Sequence, residues 1–446
     1  MREIILTWFI SLCFIKSVFA LDVNFEKDSK LPLVYLNVVI KTGAVDDPRG
    51  KSGLTYFLGQ MLLRGTKSES KEQIDLALDQ MGAVLEVETR AEALILRGSV
   101  LSSKLSEFLK LLKSILTQPT FHEREIKKLK SEVISKILEE LSSDRTLVLR
   151  RATKFLFQDH PYGKPILGIT KEVETFSTED IFSHYNKHIN HGKMSIIGAG
   201  DTDLSIIDTW AKGFRNSIKE SGNSFLVFKP KDIVTKKFYF IDKPDRTQTQ
   251  IYGGQIGILM TDKNYFPLYL ANYAFGGPSF TTKMMEEIRV KRGWSYGANS
   301  FFRMGKQPRS WQFNLYPKIK DAPDALVYTL NMIKDFREKG LTPEEFERTQ
   351  KSIINNSGFM FNTPQKRVEN LLLEKTLDLP SGFMTRYREE VSKLTLNQVN
   401  QAIKNFLKPD QLVVTVLGTA KDLKEPIVKA LGISENEMQV IPYTQE

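Results

Sequence analysis

Apolar residues recur along the chain in two spacings, and these spacings predict an alternation of strands and helices. Residues 33–41 are rich in β-branched side chains, which is typical of a strand, whereas 54–63 and 74–81 have helical spacing. Residues 84–87 and 93–100 alternate between inward and outward positions and predict a β-hairpin. The other elements predicted in this half are two helices, a turn, a further helix and a short strand, over residues 105–116, 121–141, 160–163, 178–191 and 195–198.

The second half of the chain repeats this order of elements. The helix over 105–116 has a counterpart over 325–336, and the segment that starts at Phe121 matches the one that starts at Leu341, about 220 residues later. The turn, helix and strand that follow keep the same offset. Because chance similarity rarely keeps one offset through four elements, we predict two tandem homologous α+β domains, each an antiparallel sheet packed with helices.

Length and composition fit this division. The chain has 446 residues, 41% of them hydrophobic and 26% charged, which is typical of a globular protein with two domains. We place the domains at 21–220 and 238–446, with a linker over 221–237, where Ser, Asn, Gly and Lys concentrate. The formal charge of +10 is spread along the chain, and no nucleic-acid-binding motif accompanies it, so we expect no nucleic-acid partner.

The first twenty residues have the pattern of a secretory signal peptide. Arg2 precedes an apolar run, and residues 18–20 fit a small-residue cleavage site. Cys13 is the only cysteine, and Leu12 stands where a lipoprotein signal requires a small residue, so lipidation is not expected. Cleavage after Ala20 leaves a chain without cysteine or disulfide bonds. No later apolar stretch is long enough to span a bilayer, and we expect a periplasmic protein.

The most informative stretch for function is residues 275–302. Two glycines predict a tight turn, a helical run follows, and residues 294–302 have the composition of a strand. Arg289 lies near the end of the helix and Tyr296 lies seven residues later, just past Gly293. A helix that returns as a strand can bring both side chains to one side of a cleft. The alternative is an exposed helical Arg and a half-buried strand Tyr without a shared function.

This pattern resembles the C-terminal domain of the insulinase/pitrilysin family of zinc metallopeptidases. Members carry a glycine-rich turn, a helix that ends in Arg, and a Tyr seven residues further on. The resemblance implies that Arg289 and Tyr296 contact the substrate across the active site from the metal. The first half also resembles the family, in its first strand, the loop at 43–48 and the segment 63–66. The family fold implies paired α+β domains that face each other around a chamber.

The metal motif of the family is degenerate here. Active members carry His-x-x-Glu-His, and the three positions are occupied by Tyr56, Gly59 and Gln60. Catalytic zinc needs three protein ligands and a general base, and Tyr, Gln and Gly supply neither. The third ligand of the family, a Glu, falls at Lys136. Carboxylates near that position are Glu132, Glu139 and Glu140. We therefore predict that this chain binds no zinc and cleaves no peptide alone.

A second candidate metal site is a set of three histidines. His184 and His188 are four residues apart on a predicted helix, and His191 follows. Glu and Cys ligands are absent nearby, and the counterpart helix over 398–407 has no histidine. We therefore predict histidines at the surface or at a helix end rather than metal ligands.

The family contains two-chain peptidases in which one chain carries the metal motif and the other the Arg/Tyr pair. The resemblance implies that this chain is the second kind, a secreted subunit without a cofactor of its own. It would act on peptides only in a heterodimer with a homologous zinc-binding chain. Two other classes stay open: a structural subunit, and a module that binds peptides without hydrolysis. A neighbouring gene for a secreted His-x-x-Glu-His relative would favour the peptidase pair.

Overall fold

The computed structural model describes residues 21–218 and 228–445, and each half of this chain builds one β-sheet. The strands are β1 (Asp22–Lys27), β2 (Leu33–Ile40), β3 (Val84–Thr89), β4 (Leu94–Leu101), β5 (Met194–Gly200), β6 (Lys237–Asp242), β7 (Gln250–Ile256), β8 (Ser295–Arg303), β9 (Ser310–Pro317), β10 (Val413–Gly418) and β11 (Met438–Pro442). The first sheet has the order β1-β5-β2-β4-β3, and the second has the order β11-β6-β10-β7-β9-β8.

Helices surround both sheets. In the first half they are α1 (Leu54–Leu62), α2 (Lys71–Gln80), α3 (Leu105–Thr117), α4 (Glu123–Ser142), α5 (Asp144–Phe157), α6 (Thr170–Val173), α7 (Thr178–His188) and α8 (Leu204–Arg215). In the second half they are α9 (Tyr265–Gly276), a π-helix (Met285–Lys291), α10 (Ala322–Lys339), α11 (Pro343–Ser357), α12 (Pro364–Thr376), α13 (Tyr387–Ser392), α14 (Leu396–Phe406) and α15 (Ala420–Leu431). The prediction of two homologous α+β domains is confirmed.

The two sheets share one topology. If β1 to β5 are matched with β6 to β10, the strand order is the same, and β11 is added beside β6. In each half the first strand pairs in parallel with the last, and the other pairs within the repeated unit are antiparallel. The prediction of antiparallel sheets is therefore wrong for one strand pair of the repeated unit in each half, β1/β5 and β6/β10, which makes each sheet mixed. The parallel strand β1 is a half-buried edge strand with a polar sequence, which gave no apolar signal.

Several element limits differ from the predictions. α7 ends at His188, and residues 191–193 form a separate 3₁₀ turn, so the helix does not reach His191. The helices α5 and α8 were not predicted. The predicted signal peptide, with Cys13, lies outside the described residues, as do residues 221–227 of the predicted linker. Its described part, 228–236, has no helix or strand, and β6 begins at Lys237.

The two halves complete each other's cores through one helix each. α5 of the first half packs on the second sheet, in an apolar cluster formed by Leu147, Val148, Ala152, Ile241, Tyr252 and Leu417. α12 of the second half packs on the first sheet, in a cluster formed by Val39, Ala93, Ile95, Ile197, Ala199, Val368 and Leu372. These helices occupy the same place in the repeat. Each sheet is therefore covered by helices of its own half and, in addition, by one helix of the other half.

Ion pairs accompany both helices. Arg97 on β4 forms a bidentate pair with Glu369 on α12. Lys243, just after β6, donates to Asp144 at the start of α5, at 2.6 Å. Within residues 21–218 and 228–445, no helix has the length and apolar character needed to cross a membrane.

Candidate functional site

Arg289 lies on the π-helix, which runs from Met285 to Lys291. The face of this segment that meets the core is formed by Met284, Met285 and Ile288, all buried, as their spacing predicted. π-helices are rare and occur often at functional sites, because the extra residue per turn moves side chains out of α-helical register. Gly293 follows two residues after the π-helix, and its φ of +64° is the left-handed conformation that glycine adopts without strain. The predicted helix break at this glycine is confirmed.

The glycines before the π-helix do not form the predicted tight turn. Gly276 is the last residue of α9, and Gly277 caps it. A Cβ atom on Gly276 would lie 2.4 Å from Ser300 Oγ and 2.5 Å from Ser300 N on β8. The end of α9 therefore approaches β8 closely, which fixes the position of the segment that carries Arg289.

Tyr296 is placed by a β-bulge near the start of β8. Ser295 pairs with Pro317 and Ala298 with Leu315, so Tyr296 and Gly297 stand opposite a single residue of β9. The Ser295 hydroxyl holds this irregular backbone, since it donates to the Gly297 carbonyl at 2.6 Å. Bulges re-aim side chains and occur often beside active sites. Tyr296 is 80% exposed, so it is not the half-buried strand residue of the alternative interpretation.

The structure brings Arg289 and Tyr296 together and adds a third residue. The guanidinium carbon of Arg289 lies 4.4 Å from the centroid of the Tyr296 ring and 4.9 Å from that of Phe280. Both rings are largely exposed, Phe280 at 65%. Phe280 was not among the predicted site residues, and its only signal in the sequence is an aromatic residue in the polar turn after Gly277. We call Phe280, Arg289 and Tyr296 the arginine–aromatic cluster.

A neighbouring arginine shows what a structural arginine looks like here. Arg292 donates to Glu287 at 2.7 Å, and its guanidinium lies 3.8 Å from the centroid of the Tyr328 ring. Glu287 also accepts from Lys291 at 2.6 Å and from the Tyr328 hydroxyl at 2.8 Å. These donors, Lys291 first, lower the pKa of Glu287 to about 2. The Arg289 side chain, in contrast, has no hydrogen bond or ion pair within the described ranges, so its guanidinium N–H groups are available to another molecule.

The degenerate metal motif lies on α1, and its side chains have other partners. Tyr56 and Gln60 share one face of the helix. The Tyr56 hydroxyl accepts a hydrogen bond from Lys136 Nζ at 3.2 Å, and Gln60 Nε2 donates to the Val87 carbonyl at 3.2 Å. A Cβ atom on Gly59 would lie 2.6 Å from Leu94 Cδ1 and 2.8 Å from Val87 Cγ1, so neither a Glu nor any smaller side chain fits without rearrangement.

Zinc does not fit these residues. Tyr56 and Gln60 are poor zinc ligands, and the position of the general base has been closed by packing. Of the nearby carboxylates, Glu132 pairs with Arg64 and Glu140 with Arg150. Across the described residues, no group of three or more His, Cys, Asp or Glu side chains is arranged to hold a metal ion.

The three histidines are buried, so the surface alternative of the prediction is wrong, whereas His188 does lie at a helix end, as the last residue of α7. His184, His188 and His191 are 4%, 2% and 7% exposed. Ile181, His184 and His188 are spaced as residues of one helix face, and this spacing could have predicted that the histidines are buried with Ile181. His184 Nε2 lies 2.8 Å from the Thr55 hydroxyl, and burial lowers the pKa of His184 to about 4. His184 therefore joins α7 to α1.

Comparison with known proteins supports the same relationship. The sequence profile of the insulinase family, peptidase family M16, matches residues 22–170. The profile of the peptidase M16 inactive domain matches residues 175–353, which include the arginine–aromatic cluster. The chain belongs to peptidase family M16. It is an inactive-type M16 homologue, in which the residues at the metal motif are Tyr56, Gly59 and Gln60.

Other M16 proteins resemble the chain over nearly its whole length. The non-peptidase homologue YmxG of Helicobacter pylori is 22% identical over 404 residues, covering 90% of this chain and 92% of that protein. A peptidase M16 inactive domain from Pseudomonas fluorescens has a TM-score of 0.84 at 21% identity, over 90% of this chain and 96% of that one. The periplasmic protease PqqL of Escherichia coli has a TM-score of 0.76 at 14% identity, over 96% of this chain and 49% of that one.

Proposed function

We propose that this protein is a secreted, metal-free subunit of a two-chain zinc metallopeptidase. In this proposal a homologous partner carries His-x-x-Glu-His and the zinc. This chain supplies Arg289 and Tyr296 to the partner's site. The observation that supports the proposal most strongly is the contrast between the degenerate metal motif on α1 and the arginine–aromatic cluster. The metal motif has no zinc ligands, and a side chain at Gly59 would meet Leu94 and Val87, whereas the two rings of the arginine–aromatic cluster are exposed and its side chains have unused hydrogen-bonding groups.

The roles of the two residues follow from their donors. When bound in the partner, zinc would activate water and polarise the scissile carbonyl. The Tyr296 hydroxyl would donate a hydrogen bond to the carbonyl oxygen as negative charge develops there. The Arg289 guanidinium presents several N–H donors in a plane, which suits main-chain oxygens of an extended peptide. Stacking between two rings would limit its rotation and so reduce the entropy lost when substrate binds.

The proposed location has separate support. Residues 1–20 have the pattern of a signal peptide, and the relative PqqL is described as a periplasmic protease. We propose that this protein also acts in the periplasm. We further propose the domain limits 21–220 and 238–446, each half matching a family profile over part of its length.

Co-purification tests the proposal. The tagged chain is recovered from the envelope fraction of its own organism, and its partners are identified by mass spectrometry. We expect a secreted M16 homologue with an intact His-x-x-Glu-His motif, and peptide cleavage that needs both chains and stops with a chelator. The control is the tagged chain alone, which should release no product from the same peptide. Recovery of only monomer or self-dimer would contradict the proposal, as would chelator-sensitive cleavage by the lone chain.

A further inference from the structure

A lysine, Lys136, lies beside the degenerate metal motif of this chain. We propose that Tyr56, Gln60 and Lys136 form a metal-free site that binds the C-terminal carboxylate of an extended peptide, with the Lys136 ammonium in the role of the cation. The proposal concerns the first half of the chain and does not depend on a peptidase partner. It follows from the misfit between zinc and the residues at the degenerate motif.

Lys136 lies on α4, within reach of α1. Its ammonium donates to the Tyr56 hydroxyl at 3.2 Å and lies 6.0 Å from the centroid of the Tyr56 ring. α4 thus delivers a positive charge to the face of α1 that carries Tyr56 and Gln60. The sequence count that placed the third ligand of the family at Lys136 agrees with this contact. A positive charge on an exposed side chain therefore lies beside the degenerate motif.

No carboxylate of the described chain forms an ion pair with Lys136, although Glu132, Glu139 and Glu140 lie within about one turn of it on α4. One turn earlier on α4, Glu132 pairs with Arg64, which also holds Glu125 at 3.2 Å. One turn later, Glu140 pairs with Arg150 at 3.2 Å. The Lys136 ammonium has no ion pair within residues 21–218 and 228–445, and its only recorded hydrogen bond goes to a neutral phenol. An incoming carboxylate would therefore meet an uncompensated charge.

The edge strand β3 lies next to the degenerate motif. Gln60 Nε2 donates to the Val87 carbonyl on this strand. An edge strand offers unpaired N–H and C=O groups that an extended peptide can join. The Gln60 amide links that edge to the Tyr56–Lys136 pair. A peptide that pairs with β3 would thus bring its terminal carboxylate towards the ammonium.

A direct binding measurement on the full chain tests this site. The probe is a fluorescein-labelled hexapeptide of alternating alanine and valine, with either a free C-terminus or a C-terminal amide. We expect fluorescence anisotropy at low salt to show about three- to tenfold tighter binding of the free acid, the range for a partly exposed charged hydrogen bond. The preference should shrink as salt rises. Zinc with or without a chelator should leave both affinities unchanged.

Two variants on α4 separate the site from general charge. Lys136→Met should remove the preference for the free acid, whereas Lys127→Met, an exposed lysine on the same helix, should keep it. Thermal melting of both variants checks that the fold is retained. Equal affinity for acid and amide in the unsubstituted chain would overturn the proposal. It would also fall if neither peptide bound, if Lys127→Met had the same effect as Lys136→Met, or if zinc raised the affinity in a chelator-sensitive way.

Discussion

At the scale of single residues, Arg289 and Arg292 show how much of the candidate site can be predicted from the sequence. The family resemblance selects Arg289 rather than Arg292, and the structure gives the physical difference between them. Arg292 is fixed by Glu287 and the Tyr328 ring, whereas Arg289 is held only by aromatic rings. The contribution of Phe280 could not be predicted from spacing, because it depends on how a non-helical turn folds back over the helix.

The buried histidines lead to a prediction about acid stability. The pKa of His184 is lowered to about 4 by burial first, and then by Lys187 and Lys193. A lowered folded-state pKa means that the unfolded chain binds this proton first, near pH 6.5, so stability falls as pH drops from there towards pH 4. Burial raises the pKa of nearby Asp47 to about 7 and acts in the opposite sense, so the histidine effect must be isolated by substitution.

The variant His184→Gln isolates it, because Gln keeps a donor for Thr55 and does not titrate. We expect the free energy of unfolding of the unsubstituted protein, relative to the variant, to fall by roughly 2–3 kcal/mol between about pH 7.5 and about pH 4.5. Urea unfolding at the two pH values measures this difference. If the difference were the same at both, the buried and neutral state assigned to His184 would be wrong.

At the scale of elements, hydrophobic spacing predicted most strands and helices but not their special geometry. It predicted a helix, a break and a strand between Gly277 and Arg303, and these are present. It did not predict the π-helix or the bulge at Tyr296, because both are departures from the regular periods on which the prediction rests. Arg289 and Tyr296 both lie on these departures, so the position of each side chain depends on a local irregularity of the backbone.

The helix α5 was not predicted, and hydrophobic spacing could not have predicted its role. Periodicity can indicate that a helix has an apolar face, but not which sheet that face covers. The reciprocal packing of α5 and α12 predicts that a change in one half weakens the other. Leu372 on α12 is fully buried against the first sheet, so Leu372→Ala should cost about 2–5 kcal/mol and increase amide exchange in β5.

Hydrogen exchange by mass spectrometry locates that effect. Leu373→Ala is the matched control, because this half-buried neighbour packs in a cluster within the second half. The control should leave the protection of β5 close to that of the unsubstituted protein. Unchanged β5 protection in Leu372→Ala would show that the two halves are not coupled through α12.

At the scale of the whole molecule, the domain organisation was predicted correctly, mainly from the internal repeat. A constant offset specified two copies of one domain, and both sheets share their strand order. The sequence could not show that each half lends a helix to the other. It identified the missing ligands at Tyr56 and Gln60. It could not show that Gly59 is closed by Leu94 and Val87, because that contact joins α1 to β3 and β4.

The central claim is that this chain contributes Arg289 and Tyr296 to a site on another chain. The measurement that tests it most directly is the kcat of the mixed complex with Tyr296→Phe, assembled with the M16 partner recovered by co-purification. The substitution removes only the phenolic hydroxyl and keeps the ring that stacks on Arg289. Association should therefore be unchanged. Tyr273→Phe is the matched control, since its hydroxyl accepts from Asn356 within the second half.

We expect Tyr296→Phe to lower kcat by about 10²–10³, the usual effect of removing one donor to a developing oxyanion, or about 3–4 kcal/mol in activation free energy. KM should change little, because the hydroxyl acts mainly in the transition state, and Tyr273→Phe should retain full activity. A Tyr296→Phe complex that forms normally and keeps near-normal kcat would contradict the claim that this chain completes its partner's active site.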